Sequence, residues 1–127
     1  MIGSTRQVHV HAYAAPVDLR KGFEGLGAIV RQECGRDLLE GDLFLFVSRK
    51  RRRAKVLYFD GTGLCLFVKR LARGRFAALW RAGTERTVAL TTTELQLFLE
   101  GSTLVGRVEL SPRAIEQIDL VTRIGVS

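Results

Sequence analysis

Six cationic side chains lie within eight residues near the centre of the chain. The block runs Ser48-Arg49-Lys50-Arg51-Arg52-Arg53-Ala54-Lys55. A guanidinium group presents paired N–H donors that match two phosphate oxygens, whereas an ammonium group acts as a point charge. Because four of the six cations are arginines, the block indicates binding to a polyanion. The alternative is a solvated turn that keeps a sheet edge from aggregating, but one or two lysines would be enough for that.

A second basic cluster follows further along the chain and ends at a glycine-containing turn. Turns at alternate ends of strands point in opposite directions, so two arrangements stay open: the clusters form one stripe, or they lie at two ends. Interleaved Tyr58, Phe76 and Trp80 could stack on unpaired bases, although aromatic side chains in strands more often fill the core. The cations of both clusters, which we predict to contact nucleic acid, are Arg49, Lys50, Arg51, Arg52, Arg53, Lys55, Lys69, Arg70, Arg73 and Arg75.

The net charge of +7 is concentrated in this part of the chain. Residues 48–81 contain eleven Lys and Arg and one acid, a net charge of +10, and the remainder carries −3. The field of a protein acts on partners where charges of one sign cluster. The uneven distribution therefore favours an anionic partner, with DNA and RNA not distinguished.

Carboxylates that could catalyse DNA cleavage are few. Such chemistry needs two or three acids converging on a divalent metal, and the candidates are Asp18, Asp60 and Glu94. Each has a local explanation: an acid in the first turn of a helix, a turn former and a capping-box residue. We therefore predict no catalytic residue and no cofactor, and a metal-dependent nuclease is the least favoured interpretation.

The histidines and cysteines give no stronger signal. His9 and His11 share one face of a strand-like segment, but two ligands do not make a metal site, and the pattern favours surface histidines. Cys34 and Cys65 have no partner at metal-binding spacing and are predicted to be buried free thiols. The sequence therefore predicts no metal site.

The two ends of the chain are predicted to contain helices, with one strand before the first helix. Residues 7–13 alternate as a first strand, and a helix is expected from Pro16 to a cap at Gly35. Thr91 and Glu94 form a capping box for a short helix that stops at Gly101. A further helix is expected to begin at Ser111 and Pro112.

The middle of the chain reads as strands. Short apolar runs occur at 43–47, 56–59, 64–68 and 76–80, with a further candidate at 87–90, and the turn Asp60-Gly61-Thr62-Gly63 is typical of a hairpin. We predict an α+β fold: an antiparallel β-meander of about five to six strands, packed with an N-terminal helix and one or two C-terminal helices.

Length and hydropathy limit the organisation. A chain of 127 residues fits one domain, with a core at 7–101 and a C-terminal helical extension at 102–127. The longest apolar runs are five residues, against the ~20 of a membrane-spanning helix, and residues 1–7 lack a secretory pattern. We expect a cytoplasmic protein with no membrane partner.

Four segments stand in a fixed order and spacing along the chain. They are Pro16-Val17-Asp18-Leu19-Arg20-Lys21-Gly22-Phe23-Glu24-Gly25-Leu26, Asp60-Gly61-Thr62-Gly63, Leu66-Phe67-Val68-Lys69-Arg70-Leu71 and Arg73-Gly74-Arg75-Phe76. Together they resemble the TnpB accessory proteins (Orf2-like) of insertion sequence 66 elements, and the likeness runs from about residue 7 to Gly101. The resemblance implies a bacterial mobile-element protein, encoded beside a separate transposase and lacking the catalytic acids of that enzyme. For such a protein, association with the bacterial nucleoid stays open.

Two functions follow as expectations. The leading one is a non-catalytic accessory factor of transposition that binds DNA through the basic hairpin loop and the second basic cluster. The alternative is an adaptor that binds the transposase or another element-encoded protein, with the basic loop against an acidic protein surface. The sequence leaves the oligomeric state open.

Overall fold

A five-stranded sheet with helices on both faces forms the described part of the computed structural model, which comprises residues 7–80 and 85–101. A single 3₁₀ turn, Leu38–Glu40, precedes the second strand. The strands are β1 (Val10–Tyr13), β2 (Leu43–Val47), β3 (Arg53–Phe59), β4 (Leu64–Arg70) and β5 (Thr87–Leu90), and the helices are α1 (Phe23–Gln32) and α2 (Thr92–Leu99). The fold is α+β, with five strands as expected.

The strand order is β4-β3-β2-β1-β5, and one pairing differs from the predicted meander. Strands β2, β3 and β4 are consecutive and antiparallel, but β1 runs parallel to β2, with Val10 opposite Leu43. Parallel neighbours need a crossover connection, and α1 lies in the crossover between β1 and β2. Strand β5 then pairs antiparallel with the other side of β1. The sheet is therefore mixed, and the all-antiparallel prediction was wrong at β1.

Apolar side chains on the two faces of the sheet form two cores. On one face, Leu45 and Val56 pack with Phe76, Leu79 and Phe98, and the rings of Phe76 and Phe98 stack with centroids 5.1 Å apart. The core of the other face includes Leu26 and Val30 from α1 with Phe44 and Leu57 from the sheet. Successive strand residues point to opposite faces, so runs such as 43–47 are apolar throughout because both faces are covered.

The first helix is shorter than its sequence pattern. It begins at Phe23, not at Pro16. The Asp18 carboxylate accepts a hydrogen bond from the N–H of Arg20 (3.0 Å), a local side-chain contact that competes with helix formation. The helix ends at Gln32, and Gly35 follows with φ +64°. Residues 16–22 are therefore an irregular segment that runs beside the sheet.

The second helix is confirmed with its capping box. Thr91 Oγ1 accepts a hydrogen bond from the N–H of Glu94 (3.0 Å), and Glu94 Oε1 accepts one from the N–H of Thr91 (2.9 Å). The strand predicted at 76–80 was wrong, since this apolar run forms no strand and instead places Phe76, Ala77 and Leu79 in the core. The helix predicted from Ser111, and with it the extension at 102–127, lies outside the described residues. None of the described helices is long and apolar enough to cross a membrane.

Candidate nucleic-acid interface

The turn between β2 and β3, residues 48–52, is folded by its own main chain and one serine. The N–H of Ser48 donates to the carbonyl of Arg53 (3.0 Å), and the N–H of Arg51 donates to the carbonyl of Ser48 (2.9 Å). Ser48 Oγ accepts from the N–H of Arg53 (3.2 Å). Arg51 has φ +58°, a conformation uncommon for a residue with a side chain. None of these contacts uses a cationic group, so they fix the turn and leave its charges available.

The two basic clusters lie at the same end of the sheet. Strands β3 and β4 form a hairpin of seven residues each, so β4 ends beside the start of β3. In the pairing register Arg53 is opposite Arg70, and Ala54 is opposite Lys69. Of the two arrangements left open by the sequence, the structure shows the clusters side by side.

The connection after β4, residues 71–75, is attached to the β2–β3 turn at both ends. The N–H of Leu71 donates to the carbonyl of Arg52 (2.9 Å), and the N–H of Phe76 donates to the carbonyl of Arg51 (2.6 Å). Arg73 and Arg75 lie between these anchor points and are exposed. We call the ten cations gathered in this way the basic surface: Arg49, Lys50, Arg51, Arg52, Arg53, Lys55, Lys69, Arg70, Arg73 and Arg75.

The charges of the basic surface are not matched by acids in the described part of the chain. Within residues 7–80 and 85–101, none of the ten cations forms an ion pair with a carboxylate. Two of them contact neutral acceptors: a guanidinium nitrogen of Arg51 donates to the carbonyl of Phe76 (3.2 Å), and Lys55 Nζ donates to the carbonyl of Lys21 (3.0 Å). Carbonyl contacts hold a side chain in place but leave its charge uncompensated. Arg51, Lys55 and Lys69 are half-buried and the other seven are exposed.

A cavity of about 580 Å³ opens between this surface and residues 16–20. Arg20 lines it, a cation in the segment that the sequence pattern predicts to be helical. Its guanidinium binds the Asp18 carboxylate through Nη2 to Oδ2 (2.7 Å) and Nε to Oδ1 (3.0 Å). The hydrogen bonds from Arg20 hold the pKa of Asp18 well below its usual range. The adjacent pair Arg20-Lys21 was the sequence signal for a further cation here.

The candidate acids for metal-dependent cleavage are not brought together. Asp18 is paired with Arg20, and Glu94 is buried in its capping box. Asp60 accepts hydrogen bonds from the N–H groups of Thr62 and Gly63 (both 2.9 Å), which lower its pKa to about 2. In the part of the chain that the structure describes, no three side chains of the metal-binding types lie close enough to hold an ion. Asp60 and Glu94 have the local roles expected from the sequence, whereas the role expected for Asp18 was wrong, because Asp18 pairs with Arg20 in an irregular segment before α1 and is not in the first turn of a helix.

The histidine prediction holds for His9 and was wrong for His11. His9 is exposed, but His11 is buried, and its ring stacks on Phe44 with centroids 5.1 Å apart. His11 Nε2 lies 3.0 Å from Oδ2 of the buried Asp42, whose Oδ1 accepts from the N–H of His9 (3.3 Å). The pair forms because β1 and β2 are parallel neighbours. The spacing of residues within either segment does not predict this pairing.

The cysteines and the aromatic residues have structural surroundings. Cys34 and Cys65 are free thiols but half-buried, not buried, and burial raises the pKa of Cys34. Phe76 is fully buried, and Tyr58 and Trp80 pack against the same core. The predicted core role of these rings is confirmed.

Comparison of the chain with known proteins identifies its family. Residues 8–107 match the TnpB_IS66 family, described as IS66 Orf2 like protein. The uncharacterized protein y4hO of Sinorhizobium fredii (strain NBRC 101917 / NGR234) is 36% identical over 101 residues, covering 80% of this chain and 86% of the relative. The uncharacterized protein y4jC of the same strain is 37% identical over 76 residues, covering 60% of this chain and 65% of that protein. No solved structure matches the chain. The family match covers more than three quarters of the chain, in agreement with the resemblance carried by its four motifs, and the chain therefore belongs to the IS66 Orf2-like family.

Proposed function

We propose that this protein is a non-catalytic accessory factor of insertion-sequence transposition that binds DNA through the basic surface. The observation that carries the proposal is the meeting of two basic clusters, separate in the sequence, at one end of the sheet, where no carboxylate of the described residues pairs with them. Membership of the IS66 Orf2-like family supports the biological setting.

Electrostatic repulsion within the basic surface favours an anionic partner. Arg53 and Arg70 are direct cross-strand neighbours, and like charges in such positions destabilise a sheet. A nucleic-acid backbone relieves this repulsion and releases its condensed counterions when the cations bind. Phosphate contacts of this kind set affinity and position but read no bases. We therefore expect binding that depends strongly on salt and weakly on sequence.

Paired charge removals test the proposal. Arg52→Gln with Arg75→Gln removes two exposed cations of the basic surface. Each cation that contacts a phosphate contributes about one unit to the slope of log K against log salt, so the double variant is expected to flatten that slope by about two units. Fluorescence anisotropy with a short labelled duplex at a series of salt concentrations measures the change.

The matched control is Arg31→Gln with Arg36→Gln, which removes the same charge elsewhere. Arg31 and Arg36 line a different cavity together with Leu64. Leu64 is the first residue of β4 and Arg70 is the last, so this cavity lies at the other end of the strand from the basic surface. The control variant is expected to keep the wild-type slope. Equal slopes for both double variants would show that binding responds to net charge alone, against a role for the basic surface.

The adaptor function is the second candidate, and edge strand β4 favours it. In the described sheet β4 pairs only with β3, and its exposed fractions are 40% at Leu64, 46% at Phe67 and 55% at Val68. A partner protein such as the element's transposase could add a strand to this edge. Co-purification with the transposase after nuclease treatment, together with failure to bind DNA, would establish the adaptor in place of the DNA-binding factor.

A further inference from the structure

The cavity beside the basic surface has cationic walls from three separate parts of the chain. Arg20 comes from the segment after β1, Arg70 from the end of β4, and the remainder from the β2–β3 turn and the start of β3. Asp18 is the single carboxylate among the described residues that line the cavity, and it is already paired with Arg20. The lining cations are Arg20, Arg49, Lys50, Arg52, Arg53 and Arg70.

The walls of the cavity are fixed by contacts that do not involve these charges. The N–H of Val17 donates to the carbonyl of Val47 (3.0 Å), which attaches residues 16–20 to the end of β2. Val17 and Leu19 are buried in the core on the α1 side of the sheet. On the opposite wall, the β3–β4 ladder holds Arg53 beside Arg70. The cavity is therefore part of the folded structure and does not depend on an occupant for its shape.

Size and charge together define the chemistry that fits. A volume of about 580 Å³ lies within the roughly 300–1,000 Å³ of small-ligand pockets. A duplex with a major groove about 12 Å wide is too large to enter, whereas one nucleotide is not. A phosphate monoester carries close to two negative charges at neutral pH, and a phosphodiester inside a strand carries one. A cavity whose described lining has six cations and one paired acid favours the monoester, because Coulomb attraction grows with the charge of the ligand.

We propose that this cavity binds the phosphate monoester of a nucleotide, with Arg53 and Arg70 as its principal ligands. Two kinds of ligand carry such a phosphate monoester: a 5′-phosphorylated strand end and a free nucleoside monophosphate. The strand-end source rests on the proposed DNA-binding function, since the remaining cations of the basic surface then hold the adjoining backbone. Guanidinium forks bind a phosphate through paired hydrogen bonds, and the cross-strand position of these two arginines places both at one site.

The first arm of the test measures strand-end binding with the full chain. The probes are one labelled duplex with 5′-phosphates, the same duplex with 5′-hydroxyls, and the same sequence closed by loops at both ends. Wild-type protein is expected to prefer the 5′-phosphorylated duplex over the closed one by about tenfold, the effect of one added charge-assisted hydrogen bond. Arg53→Gln with Arg70→Gln is expected to abolish the preference, with unchanged stability against urea as the folding check.

The control variant separates the cavity from the rest of the surface. Arg73→Gln with Arg75→Gln removes two cations that do not line the cavity and is expected to weaken binding to all three probes alike, leaving the preference intact. Equal wild-type affinity for the three probes would overturn strand-end binding and leave the proposed DNA-binding function standing.

The second arm measures the free nucleotide without DNA. Calorimetric titration with adenosine 5′-monophosphate is expected to show binding that adenosine does not show and that Arg53→Gln with Arg70→Gln removes. This result in a protein that binds none of the duplexes would support the cavity and contradict the proposed function. Absence of binding to adenosine 5′-monophosphate together with equal affinity for the three duplexes would overturn the cavity site altogether.

Discussion

Individual residues show where charge has a structural role and where it is available for binding. Arg51 is the clearest case, because its carbonyl accepts from Phe76 and its guanidinium donates back to the Phe76 carbonyl. The sequence predicted the same phosphate-binding role for Arg51 as for its neighbours. In the structure Arg51 also holds the chain after β4 against the β2–β3 turn. Substitution of Arg51 is therefore a poor test of DNA binding alone, whereas Arg52 is exposed and has no hydrogen bond from its side chain among the described contacts.

The buried pair of His11 and Asp42 leads to a residue-scale prediction. Asp42→Ala removes the acceptor for His11 Nε2 and for the N–H of His9, and leaving a buried donor without its acceptor costs roughly 1–3 kcal/mol. We expect a loss of that size in the free energy of unfolding, measured by urea denaturation. Asp42→Asn keeps an acceptor oxygen and should lose less. Equal losses for the two variants would contradict the assigned hydrogen bonds.

That pair also shows what residue types alone could not reveal. His11 lies in an alternating segment and was predicted to be a surface histidine because it and His9 lack a third metal ligand at a suitable spacing. The two differ because the ring of His11 lies over Phe44 beside Asp42. Both partners come from the other side of the β1-to-β2 crossover. Burial of His11 is therefore set by a non-local pairing and not by its position in a strand.

At the scale of elements, local signals predicted the parts that are locally determined. The α2 capping box, the glycine turn at 60–63 and the apolar runs of β2, β3 and β4 all correspond to observed elements. The direction of β1 and the apolar run at 76–80 do not follow from local signals. An apolar run fits a strand or an irregular segment in a core equally well, and here contacts with α2 decide between them, as the stacked Phe76 and Phe98 show.

The capping box gives the prediction that belongs to this scale. Thr91→Ala removes the acceptor for the Glu94 N–H, and loss of an N-cap side chain costs about 1 kcal/mol, within a range of roughly 0.5–2 kcal/mol. Thr91→Ser keeps the hydroxyl and is expected to retain nearly all of the stability. Chemical denaturation of the two variants measures the difference, and equal stability of Thr91→Ala and Thr91→Ser would show that the cap does not stabilise α2.

For the whole molecule, the decisive feature is the equal length of β3 and β4. Each strand has seven residues, so the hairpin returns the chain to its starting end and brings Lys69 and Arg70 beside Arg53 and the turn before it. The ten cations were predicted from residue type and clustering alone. Their union into one surface was left open by the sequence, because it depends on strand lengths and on the hydrogen bonds of Leu71 and Phe76 to that turn.

The cavity could not be predicted from the sequence, because it too depends on hydrogen bonds between segments that are distant in the chain. Residues 16–20 reach the β2–β3 turn only because Val17 bonds to Val47 at the end of β2. The sequence pattern predicted a helix in that segment, but the segment is irregular, since Asp18 forms a turn with Arg20 instead of a helical cap. The family resemblance covered these residues but did not say what they adjoin.

The dependence of DNA affinity on salt tests the central claim most directly. The claim is that the basic surface binds the phosphate backbone, and a complex that neutralises about five phosphates is expected to lose affinity with a slope of log K against log salt near −4 to −5. The measurement is a titration of wild-type protein with labelled duplex at salt concentrations from low to above physiological. A slope in that range supports DNA binding by the basic surface, and a slope near zero, or no binding at low salt, would contradict it.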